Sequence, residues 1–228
     1  MSDNLEVFRE EVSAWVTENF PRRLVGSVMG LEGQSSDEVK ADFELWRQRL
    51  AAQGWGAPTW PKKYGGAELS DAEAKVISQE MGKQGAFNPI PLMAGMGVTM
   101  VGPTVLEYGT DEQKQKHLPG IASGEILTTA VFTEPNTGSD LGSLATRATA
   151  DGDEYTITGN KTWITHGARS DLMTVLARTN LDQKGYKGLS MFLVDKPRGT
   201  CENPFPMEGM SGGEIEVLGY RGMKEYEI

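Results

Sequence analysis

The chain has 228 residues, 38% of them hydrophobic, with 22 Lys plus Arg against 32 Asp plus Glu and a formal net charge of -10. That length allows one large domain or two modest ones with real cores, and an acidic balance without a basic run repels a phosphate backbone and excludes nucleic acid as a partner. No apolar run reaches the roughly 20 residues of a membrane-spanning helix. The acidic start MSDNLEVFREEV matches neither a secretory nor an Arg-rich organellar leader, and the single Cys201 forms no internal disulfide, so a cytoplasmic protein is expected.

Up to about residue 125 the apolar residues recur at helical spacing. Leu5, Phe8, Val12, Trp15 and Val16 mark one stripe, and Val39, Phe43, Trp46 and Leu50 a second. Three S/T-x-x-E/Q patterns signal helix starts: Ser35 before Glu38, Ser70 before Glu73, and Thr110 before Gln113. Between the second and third helices, GWGAPTWPKKYGG has too much glycine and proline for regular structure, while Trp55, Trp60 and Tyr64 supply surface to anchor it as an ordered connection. In PLMAGMGVTMVGP, Met93, Met96 and Met100 fall at helical spacing, which suits core packing or the lining of a pocket for a flexible apolar ligand. LPGIASGE then combines proline and glycines into an expected helix stop and protease-sensitive break.

After that break the period falls toward two and β-branched residues dominate, in ATRATA, YTIT, TWIT, LMTVLA and LSMFLV, separated by turn-rich clusters such as DGDE and NLDQKGYKG. These short runs predict an antiparallel meander or barrel. The reading is therefore α+β: an all-α helical domain over residues 1–124, then a mostly antiparallel, β-barrel-like domain over 125–228, incomplete at its C-terminus.

Metal and nucleophile chemistry lack the residues they need. His117 and His166 are the only histidines and stand far apart, so no metal site is expected. Cys201 lies in the Pro-rich GTCENPFP and reads as an incidental thiol. Gly26, Gly30 and Gly33 miss the spacing of a dinucleotide-binding turn. The stretch that needs explaining is TEPNTGSD, Thr133 to Asp140, directly after the apolar run ILTTAVF. Its Pro135-Asn136-Thr137-Gly138 bend frees Gly138 for positive φ and gathers N–H groups beside the Thr133 and Ser139 hydroxyls, an arrangement suited to an electron-rich ring edge or a phosphate. The plainer alternative is that Glu134 and Asp140 cap and solvate a surface turn.

VFTEPNTGSD, followed by YTITGNKTWITHG, resembles the acyl-CoA dehydrogenase family, flavoproteins that oxidise the α,β bond of acyl-CoA thioesters. YGTDEQKQKHLPGIASGE, GWGAPTWPKKYGG and RGMKEYEI extend the similarity over essentially the whole chain. The resemblance implies the family's N-terminal helical domain and most of its middle β-domain. It implies FAD held by Ala130, Val131, Phe132, Thr133, Gly138 and Ser139 in one segment and by Trp163, Ile164 and Thr165 in a second. Thr165 would offer its hydroxyl as a donor on the N5 side, Trp163 an aromatic wall, and Ser139 a further contact to the CoA portion of the substrate. Also implied are an electron-transfer flavoprotein or similar acceptor, a homo-oligomer of the full-length protein, and a catalytic base beyond Ile228. An acyl-CoA oxidase, or a non-catalytic acyl-CoA- or flavin-binding subunit that needs a partner chain, are the alternatives.

Overall fold

The computed structural model describes residues 3–26, 36–93, 96–200, 202–219 and 223–228. Gly30, Gly33, Ser35 and Cys201 lie outside them. The Cα packing separates two units, Met1–Ile126 and Leu127–Ile228.

The first unit is helical. Helix α1 (Asp3–Asn19) buries Val12 and Val16 and rests Phe8 and Trp15 against the core, as their spacing requires. Helix α2 (Asp37–Ala52) buries Phe43, Trp46 and Leu50. Its N-cap is Ser36, whose hydroxyl accepts from the Val39 N–H, one residue later than the expected Ser35. Helix α3 (Asp71–Lys83) opens with the full Ser70/Glu73 capping box. The connection between α2 and α3 is ordered by its aromatic residues: Trp55, Trp60 and Tyr64 are all buried, and the Gly66 backbone lies so close to Trp60 that a Cβ would come within 2.1 Å of its carbonyl oxygen.

Helix α4 (Ile90–Met93) is short, and a π-helical turn over Gly97–Val101 runs directly into α5 (Gly102–Tyr108). Met100 sits on that turn 44% exposed rather than in the core. The side chain of Met93 lies outside the described residues.

Helix α6 (Asp111–Ser123) starts with the Thr110/Gln113 capping box and continues through Pro119. The stop expected at LPGIASGE comes only at Gly124, in the left-handed conformation at φ 74. Burial of Leu118, Ile121 and Ala122 outweighs the hydrogen bond that Pro119 cannot donate, and the buried Arg47 donates to the Ser123 carbonyl in the last turn.

The second unit holds eight described strands. They are β1 (Thr128–Val131), β2 (Arg147–Asp151), β3 (Glu154–Thr158), β4 (Ile164–Thr165), β5 (Leu172–Arg178), β6 (Leu189–Asp195), β7 (Gly213–Ile215) and β8 (Glu225–Glu227). Strand β5 is the hub of a five-stranded sheet: β6 pairs antiparallel along one edge, while β1 and the end of β2 lie parallel along the other, and β3 pairs antiparallel with β2. The parallel pairs depart from the expected meander. They are possible because β2, β3 and β4 intervene between β1 and β5, giving the chain length that a parallel return requires.

Strands β4, β8 and β7 form a separate three-stranded antiparallel sheet. Val131, Met173 and Val175 from the first sheet and Ile164 and Tyr226 from the second share one core with Ala168 and Phe205. Mostly antiparallel pairing in a β-rich second unit is thus observed, as two facing ladders among the described residues.

Candidate functional site

The turn TEPNTGSD is built around Glu134. Its N–H donates to the Thr137 carbonyl at 2.9 Å, and the Thr137 N–H returns the bond to the Glu134 carbonyl at 3.0 Å, closing a tight bend over Pro135 and Asn136. No residue of this bend has positive φ, so the freedom expected of Gly138 is not used; the space around it is open. Proline at the first corner and a negative φ at Asn136 complete the bend without glycine.

The Glu134 side chain turns inward rather than solvating the surface. It is 6% exposed and accepts from the N–H groups of Ala145 (2.7 Å) and Thr146 (2.8 Å), from the Thr146 hydroxyl, and from Lys161 Nζ (3.1 Å). Burial alone would push this carboxyl up, but these donors together outweigh it and hold it below the usual carboxylate range. Asp140, by contrast, is exposed and receives the Ser143 hydroxyl.

Lys161 joins this turn to the second segment singled out in the sequence. Its buried Nζ also donates to the Phe132 carbonyl at 2.9 Å, while the Thr162 N–H donates to the Thr133 carbonyl at 2.9 Å and the Thr129 hydroxyl to the Thr165 carbonyl at 2.7 Å. Two stretches thirty residues apart are therefore laid side by side by bonds spread along their length. Ala130, Phe132 and Thr133 are half-buried along one, and Gly138 and Ser139 are exposed at its end. Val131 and Ile164 turn their side chains into the core, at 3% and 1% exposure, leaving only backbone for a ligand.

Trp163 is the conspicuous residue. It stands immediately before β4 with φ 58 and is 55% exposed. A bulky non-glycine residue in the left-handed region costs on the order of 1–3 kcal/mol, and this one carries a large apolar ring that stands more than half in solvent. His166, three residues on, is also left-handed at φ 55, but buried. Its Nδ1 has no hydrogen-bond partner among the described residues, and burial followed by the nearby Arg169 charge lowers its pKa from 6.5 to about 4.

The Thr165 hydroxyl has a partner within the chain. Its half-buried hydroxyl faces Glu225, its cross-strand partner in β8, at 2.9 Å and 3.2 Å from the two carboxylate oxygens. An ionised carboxylate only accepts, so the hydroxyl is the donor and its proton is committed. Glu134 as a buried strut, Lys161 as its partner and Glu225 as the neighbour of Thr165 were not singled out in the sequence. The only signal was their presence inside quoted motifs, Glu134 and Lys161 in the linked pair and Glu225 in RGMKEYEI.

An open cleft of about 640 Å³ in the second unit is lined by Val131, Ile157, Met173, Val175, Val194 and Met210 among others. It does not include Thr133, Ser139, Trp163 or Thr165.

A helical unit followed by a two-sheet unit, with two polar segments clasped together beside an exposed tryptophan, agrees with the two domain models that the chain matches. The acyl-CoA dehydrogenase N-terminal domain matches residues 2–125 and the acyl-CoA dehydrogenase middle domain residues 129–228. The chain belongs to the acyl-CoA dehydrogenase family.

Among its relatives is the (2S)-methylsuccinyl-CoA dehydrogenase of Cereibacter sphaeroides, 49% identical over all 228 residues of this chain and 40% of that protein. Solved structures give the same picture. The Tcur3481-Tcur3483 steroid ACAD is similar over the whole chain and 54% of its own, at TM-score 0.68 and 33% identity. The ChsE4-ChsE5 complex from Mycobacterium tuberculosis is similar over the whole chain and 53% of its own, at TM-score 0.68 and 27% identity. The chain thus spans about half the length of these relatives or less.

Proposed function

We propose that this chain is the flavin-contacting part of an FAD-dependent oxidoreductase that introduces an α,β double bond into an acyl-CoA thioester. The observation that carries the reading is Trp163: a tryptophan held in a strained backbone conformation and left more than half exposed, beside a clasped pair of polar segments, suits stacking against a flat ring. The residues fit the cofactor. Trp163 would lie against the isoalloxazine, Phe132, Thr133 and the backbone of Ala130 and Val131 would follow its edge, Gly138 and Ser139 the chain beyond it, with Ser139 also meeting the CoA portion. The backbone of Ile164 and the Thr165 hydroxyl would approach the N5 side.

FAD bound there would supply the acceptor for the β-hydride. The protein's part is to orient the ring, keep it in place and exclude water from one face. Glu134 is no base in this scheme. Its oxygens are occupied by the donors of Ala145, Thr146 and Lys161, and a base must reach the α-carbon within hydrogen-bond distance. The carboxylate that takes the α-proton is assigned to residues outside 1–228, in a protein that acts as a homo-oligomer in the cytoplasm and passes electrons to an electron-transfer flavoprotein or similar acceptor.

The test is direct. The purified chain, titrated with FAD and followed by quenching of flavin fluorescence, is expected to bind with low affinity and to reduce no dye with short, medium or long acyl-CoAs. Without a positioned base it forfeits roughly 10²- to 10⁴-fold in rate. Sustained turnover would place the base within these 228 residues, and no quenching at any FAD concentration would remove the flavin assignment.

A further inference from the structure

Lys161 is fixed at both ends. Its main chain exchanges two bonds with Ile228, N–H to carbonyl in each direction at 2.8 Å. Its buried ammonium, four methylenes away, donates to the Phe132 carbonyl at 2.9 Å and to Glu134 at 3.1 Å. Glu134 already accepts from Ala145 and from the Thr146 N–H and hydroxyl, so Lys161 does more than serve that carboxylate. It ties the 132–134 segment to the strand that carries Trp163.

The backbone just after Lys161 is irregular. Ile164 stands opposite Tyr226, and Lys161 exchanges its bonds with Ile228, so Thr162 and Trp163 together face the single Glu227. An extra residue of this kind is a bulge, which bends a strand and re-aims a side chain. Thr162 turns its N–H away from β8 to the Thr133 carbonyl, and Trp163 takes the left-handed conformation. The bulge is bounded by Ile164 in the core on one side and by Lys161 on the other.

We propose that Lys161 is a positioning residue of the cofactor site: its ammonium on the Phe132 carbonyl sets the gap between the Phe132–Thr133 segment and the Trp163 ring, so FAD is held less well without it even when the fold is intact. The inference rests on the reading of those two segments as flavin-facing. Lys161 touches no cofactor itself.

Three variants of the 228-residue chain separate positioning from stability: Lys161→Met, Glu134→Gln and the two combined. Urea unfolding without FAD ranks their stabilities. The double variant buries no unpaired charge and should be more stable than Lys161→Met alone. It therefore carries the comparison if Lys161→Met fails to fold. FAD affinity is measured by fluorescence anisotropy, and the emission of bound flavin is read at saturation.

Glu134→Gln leaves Lys161 on the Phe132 carbonyl and should bind FAD within about 3-fold of wild type. Lys161→Met and the double variant both lose that bond and should bind about 10-fold or more weakly, by the same factor despite their different stabilities. Flavin bound to them should also keep more of its emission, because the ring no longer lies squarely on Trp163; a fold that was merely less stable would leave the emission of bound flavin unchanged. Affinity that returns with stability in the double variant, or an equal loss in Glu134→Gln, would reduce Lys161 to a strut and overturn the proposal. A wild-type chain that binds no FAD would instead bring down the flavin reading, and this inference with it.

Discussion

Trp163 and His166 show how much a single backbone conformation can reveal. Both are left-handed residues flanking the two-residue strand β4, one exposed and one buried. Replacing Trp163 by Asn should leave the apo fold within about 1 kcal/mol of wild type, since Asn tolerates positive φ and little packing is lost from a residue already more than half in solvent. The same variant should lose most flavin quenching, and urea denaturation beside an FAD titration separates the two effects. His166 predicts a pH dependence. Its folded-state pKa of about 4 lies below the unfolded 6.5, so the unfolded chain takes up the proton first. The stability it contributes is therefore present in full above pH 6.5 and is lost as pH falls toward 4, by about 3 kcal/mol in all. Unfolding free energies between pH 7 and 4 should fall less steeply for His166→Asn; an unchanged slope would mean that His166 takes up its proton as readily in the folded chain as in the unfolded one.

At the scale of elements, the turn after β1 and the segment leading into β4 are one unit because Glu134 and Lys161 meet in the interior. Lys161→Met leaves the Glu134 carboxylate buried with its cationic partner gone, and removing one member of a buried pair costs about 3 kcal/mol or more. Glu134→Gln keeps an acceptor for the Ala145 and Thr146 donors and should cost less. Chemical denaturation ranks the two, and amide exchange locates the effect: Thr137 and Thr162, whose N–H groups close the turn and join the segments, should lose protection first in Lys161→Met. Equal destabilisation by both variants would show that Lys161 left without its anion costs as much as Glu134 left without its cation. Acid should loosen the same place, because the depressed Glu134 pKa means that its contribution is lost as pH falls below the ordinary carboxyl range.

For the whole molecule, the division near residue 126 makes a prediction about proteolysis. Helix α6 runs to Ser123 with Leu118, Ile121 and Ala122 buried, so Pro119 to Ser123 should resist cleavage despite their composition. Glu125 is exposed just past the left-handed Gly124, so a Glu-specific protease should cut there among its early sites and release fragments 1–125 and 126–228. Early cleavage within 118–123, detected by mass spectrometry, would show that the last turn of α6 is not held by its packing.

Local rules carried the sequence a long way. Helical spacing identified the buried faces of α1 and α2, and two capping boxes marked true helix starts, because amphipathic periodicity and first-turn hydrogen bonds are properties of neighbouring residues. The linked motifs VFTEPNTGSD and TWITHG located the two segments that Lys161 and Thr162 clasp, but not what their side chains do once clasped. Tertiary structure decided that Pro119 stays inside a helix, that Met100 leaves the core on a π-turn, and that β1 lies parallel to β5. It also decided that Glu134 is a buried strut rather than a solvated cap and that Thr165 gives its proton to Glu225, sixty residues away. Each of these depends on which distant groups compete for one hydrogen bond or one patch of core, and that competition has no signature in local sequence.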